Sequence, residues 1–295
     1  MDDRGSTTLR RGIAVLLELG SDEAARAGGM GVVQLARNIG EDKGQVSRTL
    51  RTLASSGLAE RVPGTQAYRL GALIYQLAAR VFDPRLMQEG PPLLGRLVLD
   101  IGERAHLSVL RGREVLTLWT ESPPRTEVQA TDWAGRTVPA WCTSSGRALL
   151  IDHEQAMIDA LFGGGGLRGG GPNAPRSTRD LAARVAAAAR HGYAVVDEEF
   201  EPELVGVAVP IRDYRGRIVA AVNISGPKYR LGSRLDEVGD RLRADATALS
   251  ELLGAPAAAG GPAGLGTEPG PRPGTRAGDA AGPGPPRRTG KAARQ

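Results

Sequence analysis

Three kinds of residue in this chain of 295 have types and spacing that could do chemistry. The first is a nucleophile: the single cysteine, Cys142, with His106 or His153 as a base. No reactive-cysteine signature surrounds it, and a lone cysteine commonly serves as a small buried hydrophobe. The second is the acidic run Asp197-Glu198-Glu199. Consecutive carboxylates on a strand point to opposite faces, so this run is not expected to converge on a metal or to form an acid pair. With one cysteine and only His106, His153 and His191 available, no metal site and no cofactor is expected. The third is the glycine-rich stretch 163–171, which lacks the Gly-Lys-Ser/Thr ending of a phosphate loop and reads as a flexible loop. No catalytic constellation emerges, and the chain is not expected to be an enzyme.

A stronger pattern lies near the N-terminus. Residues 45–56 carry Val46, Leu50 and Leu53 on one helical stripe, with Gly57 as a stop. Lys43, Gln45, Ser47, Arg48, Thr49, Arg51 and Thr52 stand at the start of this helix or on its other faces. Arginine and glutamine can read base edges, while lysine, serine and threonine suit phosphates. The elements around the helix complete a known geometry. Residues 7–20 and 32–40 are predicted helices, Asp42 is a cap before the third, and 21–31 reads as a small-residue loop. Residues 58–62 and 67–70 alternate about Pro63-Gly64-Thr65-Gln66 as a hairpin, flanked by Arg61 and Arg69. Three short helices and a hairpin make a winged helix-turn-helix, with double-stranded DNA as partner. Helical periodicity resumes over 70–82.

Beyond it the pattern is mixed. Helices are predicted at 91–102, 144–150, 155–162, 181–191 (capped by Ser177) and 235–253. Strands are predicted at 105–111, 114–120, 126–130, 138–140, 194–198, 205–212 and 217–225. Antiparallel strands with helices grouped around them give an α+β domain. Thr143, Ser144 and Ser145 gather at a helix start, and Asn223 and Ser225 late in a strand. Hydroxyls beside backbone N–H groups suit a carboxylate, but capping by Thr143 and turn-making by Ser225 account for the same residues.

Composition bounds the rest. The net charge of +5 is concentrated at the ends: residues 255–295 hold about +4, residues 1–80 about +3 and the middle about −2. Overall charge is therefore no argument for DNA binding. The tail from 255 is Pro, Gly, Ala and Arg with almost no large apolar residue, and disorder is expected there. No apolar run is long enough for a membrane span, the start lacks an export signal, and one cysteine precludes an intrachain disulfide. A cytoplasmic protein with no membrane partner is expected.

The motifs Leu-Ala-Arg at 35–37, Leu-Ala-Ser-Ser-Gly-Leu at 53–58 and Tyr-Arg-Leu-Gly at 68–71 resemble the IclR family of bacterial transcriptional regulators. The resemblance continues through Thr-Ser-Ser-Gly-Arg-Ala-Leu-Leu at 143–150, His-Gly-Tyr-Ala-Val-Val-Asp-Glu-Glu-Phe at 191–200 and Ala-Ala-Val-Asn-Ile-Ser-Gly-Pro at 220–227. It covers roughly residues 7–254. It implies a winged helix-turn-helix domain over 1–70, a linker helix over 71–84, and a GAF-like effector-binding and oligomerisation domain over 85–254. Ser144, Ser145, Asn223 and Ser225 match effector-contact positions, with Val138 as apolar lining. The chain departs from the family at Val196, where an Asp is frequent, and at Gly206, where a Cys is common. With Trp141 near the helix entry, these departures imply an effector with an aromatic or apolar body. The implied function is an operator-binding homodimer or homotetramer whose DNA affinity a small organic acid modulates. The alternative from another class is a redox switch or small-molecule enzyme centred on Cys142 and joined to a DNA-binding domain.

Overall fold

The computed structural model describes residues 4–124 and 133–256. The strand expected at 126–130 and nearly all of the expected disordered tail lie outside the described residues.

The N-terminal region runs α1 (Arg4–Leu19), α2 (Asp22–Arg26), β1 (Met30–Gly31), α3 (Val32–Ile39), α4 (Lys43–Ser55), β2 (Ala59–Arg61) and β3 (Ala67–Leu70). Its core is the apolar stripe of each helix: Val15 and Leu19, Leu35 and Ala36, then Val46, Leu50 and Leu53. Gly40 ends α3 in the left-handed region at φ 68°, which frees the chain to turn sharply into α4. The stretch 21–31, expected as a loop, holds α2 and β1. Ser21 caps α2 by accepting from the Ala24 N–H at 3.2 Å, and Met30 pairs with Tyr68, making the wing a three-stranded sheet in the order β1-β3-β2.

The predicted helix at 70–82 is shorter, α5 (Ala72–Ala78), and α6 (Pro84–Ile101) starts seven residues before the expected Pro91. The start signal is Asp83-Pro84: the Asp83 carboxylate accepts from the Arg85 N–H at 2.9 Å, and Pro84 occupies the first turn, where no N–H is needed. Pro91 and Pro92 lie inside the helix, which continues because Leu86, Leu93, Leu94 and Leu97 all bury against the sheet.

The sheet is antiparallel, with strands β4 (Arg104–Arg111), β5 (Glu114–Glu121), β6 (Thr137–Pro139), β7 (Ala194–Asp197), β8 (Leu204–Arg212) and β9 (Ile218–Pro227) in the order β6-β5-β4-β9-β8-β7. A 3-10 turn (Ala140–Cys142) leads into α7 (Ser144–Leu149), followed by α8 (Gln155–Phe162) and α9 (Thr178–His191). After β9 come α10 (Lys228–Leu231) and α11 (Leu235–Leu252). Alternation divides the sheet into two unlike faces. Leu107 and Val109, Val205, Val207, Val209 and Ile211, and Val222 and Ile224 form one apolar core with α6 and α11. The other face carries Arg104, His106 and Ser108 on β4, Gly206 and Ala208 on β8, and Asn223 and Ser225 on β9. Helices α7, α8 and α9 form a second core on that side.

Candidate functional site

Two regions have the makings of a site. In the first, the Asp42 carboxylate accepts from the Gln45 N–H at 3.0 Å and fixes the start of α4. Burial of Val46, Leu50 and Leu53 then turns the opposite face outward. Lys43, Arg48, Arg51 and Thr52 are exposed, and Gln45, Ser47 and Thr49 half-buried. All seven predicted DNA-contacting residues thus lie on α4, and Gln45, Arg48, Thr49 and Thr52 share a groove with Thr8 and Arg11 of α1. Among the described residues, no carboxylate pairs with Lys43, Arg48 or Arg51. Three other cations of this domain are already engaged: Arg11 with Glu41 at 2.8 Å, Arg69 with Glu60 at 2.6 Å, and Arg61 with the Gln66 side chain. The wing arginines are therefore less free than the helix arginines.

The second is a cavity of about 230 Å³ on the polar face of the six-stranded sheet. One water needs only about 10–15 Å³ of such space, so the cavity has room for a small organic molecule. Strand register builds it in rows. Arg104 stands opposite Ser225, Ser225 opposite Gly206, and Gly206 opposite Val196; one step along, His106 stands opposite Asn223. The start of α7 closes over these rows with Ser144 and Ser145, and Val138 lines the cavity from β6. All five predicted effector-contacting residues (Val138, Ser144, Ser145, Asn223 and Ser225) line this one cavity.

Close approach at two glycines makes the arrangement possible. A Cβ on Gly206 would sit 2.9 Å from the Ser144 Oγ, so glycine is what lets that hydroxyl lie over the sheet. A Cβ on Gly146 would come within 2.0 Å of the Ala140 carbonyl oxygen, so glycine lets α7 pack on the turn before it. Asn223 Nδ2 donates to Ser144 Oγ at 3.2 Å, while Asn223 Oδ1 is buried with no hydrogen-bond partner among the described residues.

Sequence reasoning missed several lining residues: Arg104, His106, Ser108, Thr117, Trp133 and Phe200. The signal was present for three of them, because Arg104, His106 and Ser108 alternate with Ala105, Leu107 and Val109. Arg104 is half-buried without a carboxylate partner among the described residues, and burial lowers its pKa. His106 lies within hydrogen-bond distance of Thr120, 2.9 Å from Nδ1 to Oγ1. Its ring meets Trp133 edge-on at 6.4 Å, and Trp133 meets Phe200 likewise at 6.4 Å. The tryptophan beside the cavity is Trp133. Trp141, expected to shape the pocket, is instead buried in the core beneath α7 to α9, because the 3-10 turn carries it away from the lining.

The acidic run also departs from expectation. Strand β7 ends at Asp197, and Glu198 adopts a left-handed backbone at φ 54°, which breaks the alternation. Asp197 and Glu198 consequently converge on Lys228, at 2.9 Å for Asp197. The Glu198 carboxyl is held below its usual range, chiefly by that lysine. Glu199 turns inward to a buried ion pair with Arg147 and a second contact to Arg184 at 3.0 Å. Among the described residues no group of three or more His, Cys, Asp or Glu side chains could hold a metal ion. Cys142 is buried, and burial, followed by the negative Glu199, pushes its thiol up to about 12. It is therefore protonated at neutral pH and a poor nucleophile.

Between the two regions, the Arg136 guanidinium pairs with Asp22 of α2 and lies 6.0 Å from the Trp133 ring centroid.

Known proteins match along nearly the whole described chain. The model of the IclR helix-turn-helix domain matches residues 8–63, and that of the bacterial transcriptional regulator IclR C-terminal domain matches residues 82–251. "Probable transcriptional regulator SauR" of Cupriavidus necator is 30% identical over 216 residues, 70% of this chain and 82% of that protein. The "Pca regulon regulatory protein" of Pseudomonas putida is 27% identical over 220 residues, 74% of each chain. Among solved structures, an IclR homologue from Microbacterium hydrocarbonoxydans complexed with 4-hydroxybenzoate has a TM-score of 0.71 at 25% identity, covering 83% of this chain and 98% of that one.

Proposed function

This chain belongs to the IclR family of bacterial transcriptional regulators, DNA-binding proteins with an effector domain, and from that premise we propose that α4 reads the operator while a small organic acid in the sheet cavity sets operator affinity. The observation that carries this reading is the cavity itself: one concave site with hydroxyls, aromatic edges and a cation that has no carboxylate partner among the described residues, in the domain that does not carry the DNA-reading helix. Lys43, Gln45, Ser47, Arg48, Thr49, Arg51 and Thr52 supply the DNA contacts. Val138, Ser144, Ser145, Asn223 and Ser225 line the effector site. Trp133 and Phe200 support an effector with an aromatic body, a ligand type also seen in the 4-hydroxybenzoate complex of the Microbacterium homologue.

The working unit is a homodimer or a pair of dimers. A single recognition helix reads few bases, so two-fold pairing over a palindromic site follows from the geometry. Leu9, Ile13 and Leu17 support it: they recur every four residues along α1 and are 66%, 49% and 71% exposed, an apolar stripe that a second copy would cover. Regions 1–70, 71–84 and 85–254 act as reader, linker and sensor. The Asp22–Arg136 pair offers a physical route between sensor and reader, since Arg136 also touches the tryptophan at the cavity. Among the described residues, no helix is long and apolar enough to cross a membrane. The matched relatives are regulators of transcription, and the reading invokes no catalysis. The test is a mobility-shift assay on the promoter beside the chain's own gene, across salt and with a panel of aromatic and aliphatic acids. Specific, salt-sensitive binding that one acid alters is expected; specific binding that no acid alters would leave a reader without a sensor.

A further inference from the structure

We infer that Gly44 is a specificity-determining residue of α4: it keeps the first turn of the helix bare, so that the Arg48 guanidinium lies along that turn and reads one guanine. The inference rests on the reading of α4 as the DNA-contacting helix and adds which part of that helix reads a base.

Helix formation gives no reason for a glycine here. Gly44 sits in the first turn of α4 and is exposed. Glycine is the poorest helix former after proline, and it is favoured where the backbone must turn left-handed or must approach another group closely. Gly44 is not among the glycines with positive φ. A Cβ added to it would meet, among the described residues, only Asp42 Oδ1 at 3.1 Å and Arg48 Nη1 at 3.9 Å. Both are the ends of exposed side chains, and no neighbouring element presses on the position. The domain itself therefore does not require glycine, which leaves an approach from outside as the reason for it.

The direction of that approach follows from the buried stripe. At about 100° per residue, Gly44, Arg48 and Ser55 stand within about 30° of the line opposite Val46, Leu50 and Leu53. The residue of the first turn that faces outward most squarely thus has no side chain. The arginine one turn later sends its guanidinium back over it, as helical side chains lean toward the N-terminus, and the 3.9 Å approach records that lean. The second half of the face is spent on the helix itself. Thr52 Oγ1 donates to the Arg48 carbonyl at 3.2 Å, and Ser55 Oγ donates to the Thr52 carbonyl at 2.8 Å. Recognition helices present their N-terminal residues to base edges, and an arginine fork matches the adjacent O6 and N7 acceptors of guanine. A side chain at position 44 would stand between that fork and the base pair.

The test uses the full chain, its Gly44→Ala and Arg48→Ala variants, and a duplex library with a randomised core. The parent is expected to select a site that contains a fixed guanine, and both variants should lose the preference for that same guanine. Gly44→Ala should unfold in urea at a midpoint no lower than the parent's, because alanine favours the helix. It should bind the parent's selected site at least about tenfold more weakly, while its affinity for a duplex of unrelated sequence stays within about twofold. Unchanged affinity and base preference in Gly44→Ala would overturn the inference. A lower urea midpoint would also overturn it, assigning the glycine to the Asp42 cap. Equal losses on selected and unrelated duplexes would make Arg48 a phosphate contact and overturn the base reading. A parent that selects no sequence would defeat the reading of α4 itself, whereas a selected site whose guanine neither variant alters would defeat the inference alone.

Discussion

The outer face of α4 and the polar face of the six-stranded sheet both display arginine without a carboxylate partner among the described residues, but they are built in opposite ways. On α4 the free cations are exposed, their companions are hydroxyls and an amide, and one continuous helix of 13 residues supplies them all. In the cavity a single half-buried cation is ringed by residues from six strands, one short helix and the loop residues Trp133, Phe200 and Glu201. An exposed cationic face suits a polyanion bound through many screened contacts, and its affinity must depend on salt. A half-open site with one half-buried cation suits a small anion held by a few partly desolvated contacts, which salt screens less. The two binding modes are separable by ionic strength alone.

Substitutions can break the comparison, beginning where the largest effect is expected. Replacing Lys43, Arg48 and Arg51 together by Ala should abolish specific operator binding in a fluorescence-anisotropy titration and leave acid binding intact. Arg48→Ala alone should weaken operator binding about tenfold to a hundredfold, the cost of one good base contact. An unchanged operator affinity would remove Arg48 from the interface. Glu199→Ala strands Arg147, which is 3% exposed, so it should destabilise the sensor by about 3–5 kcal/mol in urea unfolding. A loss under about 1 kcal/mol would mean that water reaches the guanidinium. Val138→Phe narrows the cavity from its edge strand and should erase the acid response, with operator affinity within about twofold of the parent. Arg136→Ala breaks a surface pair worth about 0–1 kcal/mol, so operator affinity should move less than about fivefold while the acid response shrinks. At the small end, Cys142→Ala should leave regulation unaltered. The native thiol, with its pKa raised to about 12, should resist a thiol reagent at pH 8 and react only on unfolding or in strong alkali. Rapid labelling of the native chain at pH 8 would revive the redox alternative.

How much was legible in advance tracks the same contrast. The reader is local: a stripe at 46, 50 and 53, a cap at Asp42 and a stop at Gly57 all fall within sixteen residues, and periodicity exposes them. Its one surprise, α2 with β1 inside an expected loop, came from short elements whose partner, Tyr68, lies 38 residues further on. The sensor is non-local. Ser144, Ser145, Asn223, Ser225 and Val138 were reached through resemblance to a family, and their meeting at one cavity depends on a strand order that periodicity does not contain. Arg104 and His106 could have been suspected from alternation along β4, where polar residues face away from Leu107 and Val109. The placement of Trp141 away from the lining, and of Asp197 and Glu198 together on Lys228, turns on a 3-10 turn and one positive φ. Neither leaves a periodic trace.

The most direct measurement titrates the full chain into a labelled duplex from its own promoter, at fixed salt, with and without an acid that calorimetry has shown to bind. A coupling of about 1–3 kcal/mol corresponds to a shift of roughly fivefold to 150-fold in operator affinity. The account predicts such a shift in the parent chain and its absence in Val138→Phe. Identical operator affinity with the acid bound and unbound would contradict it.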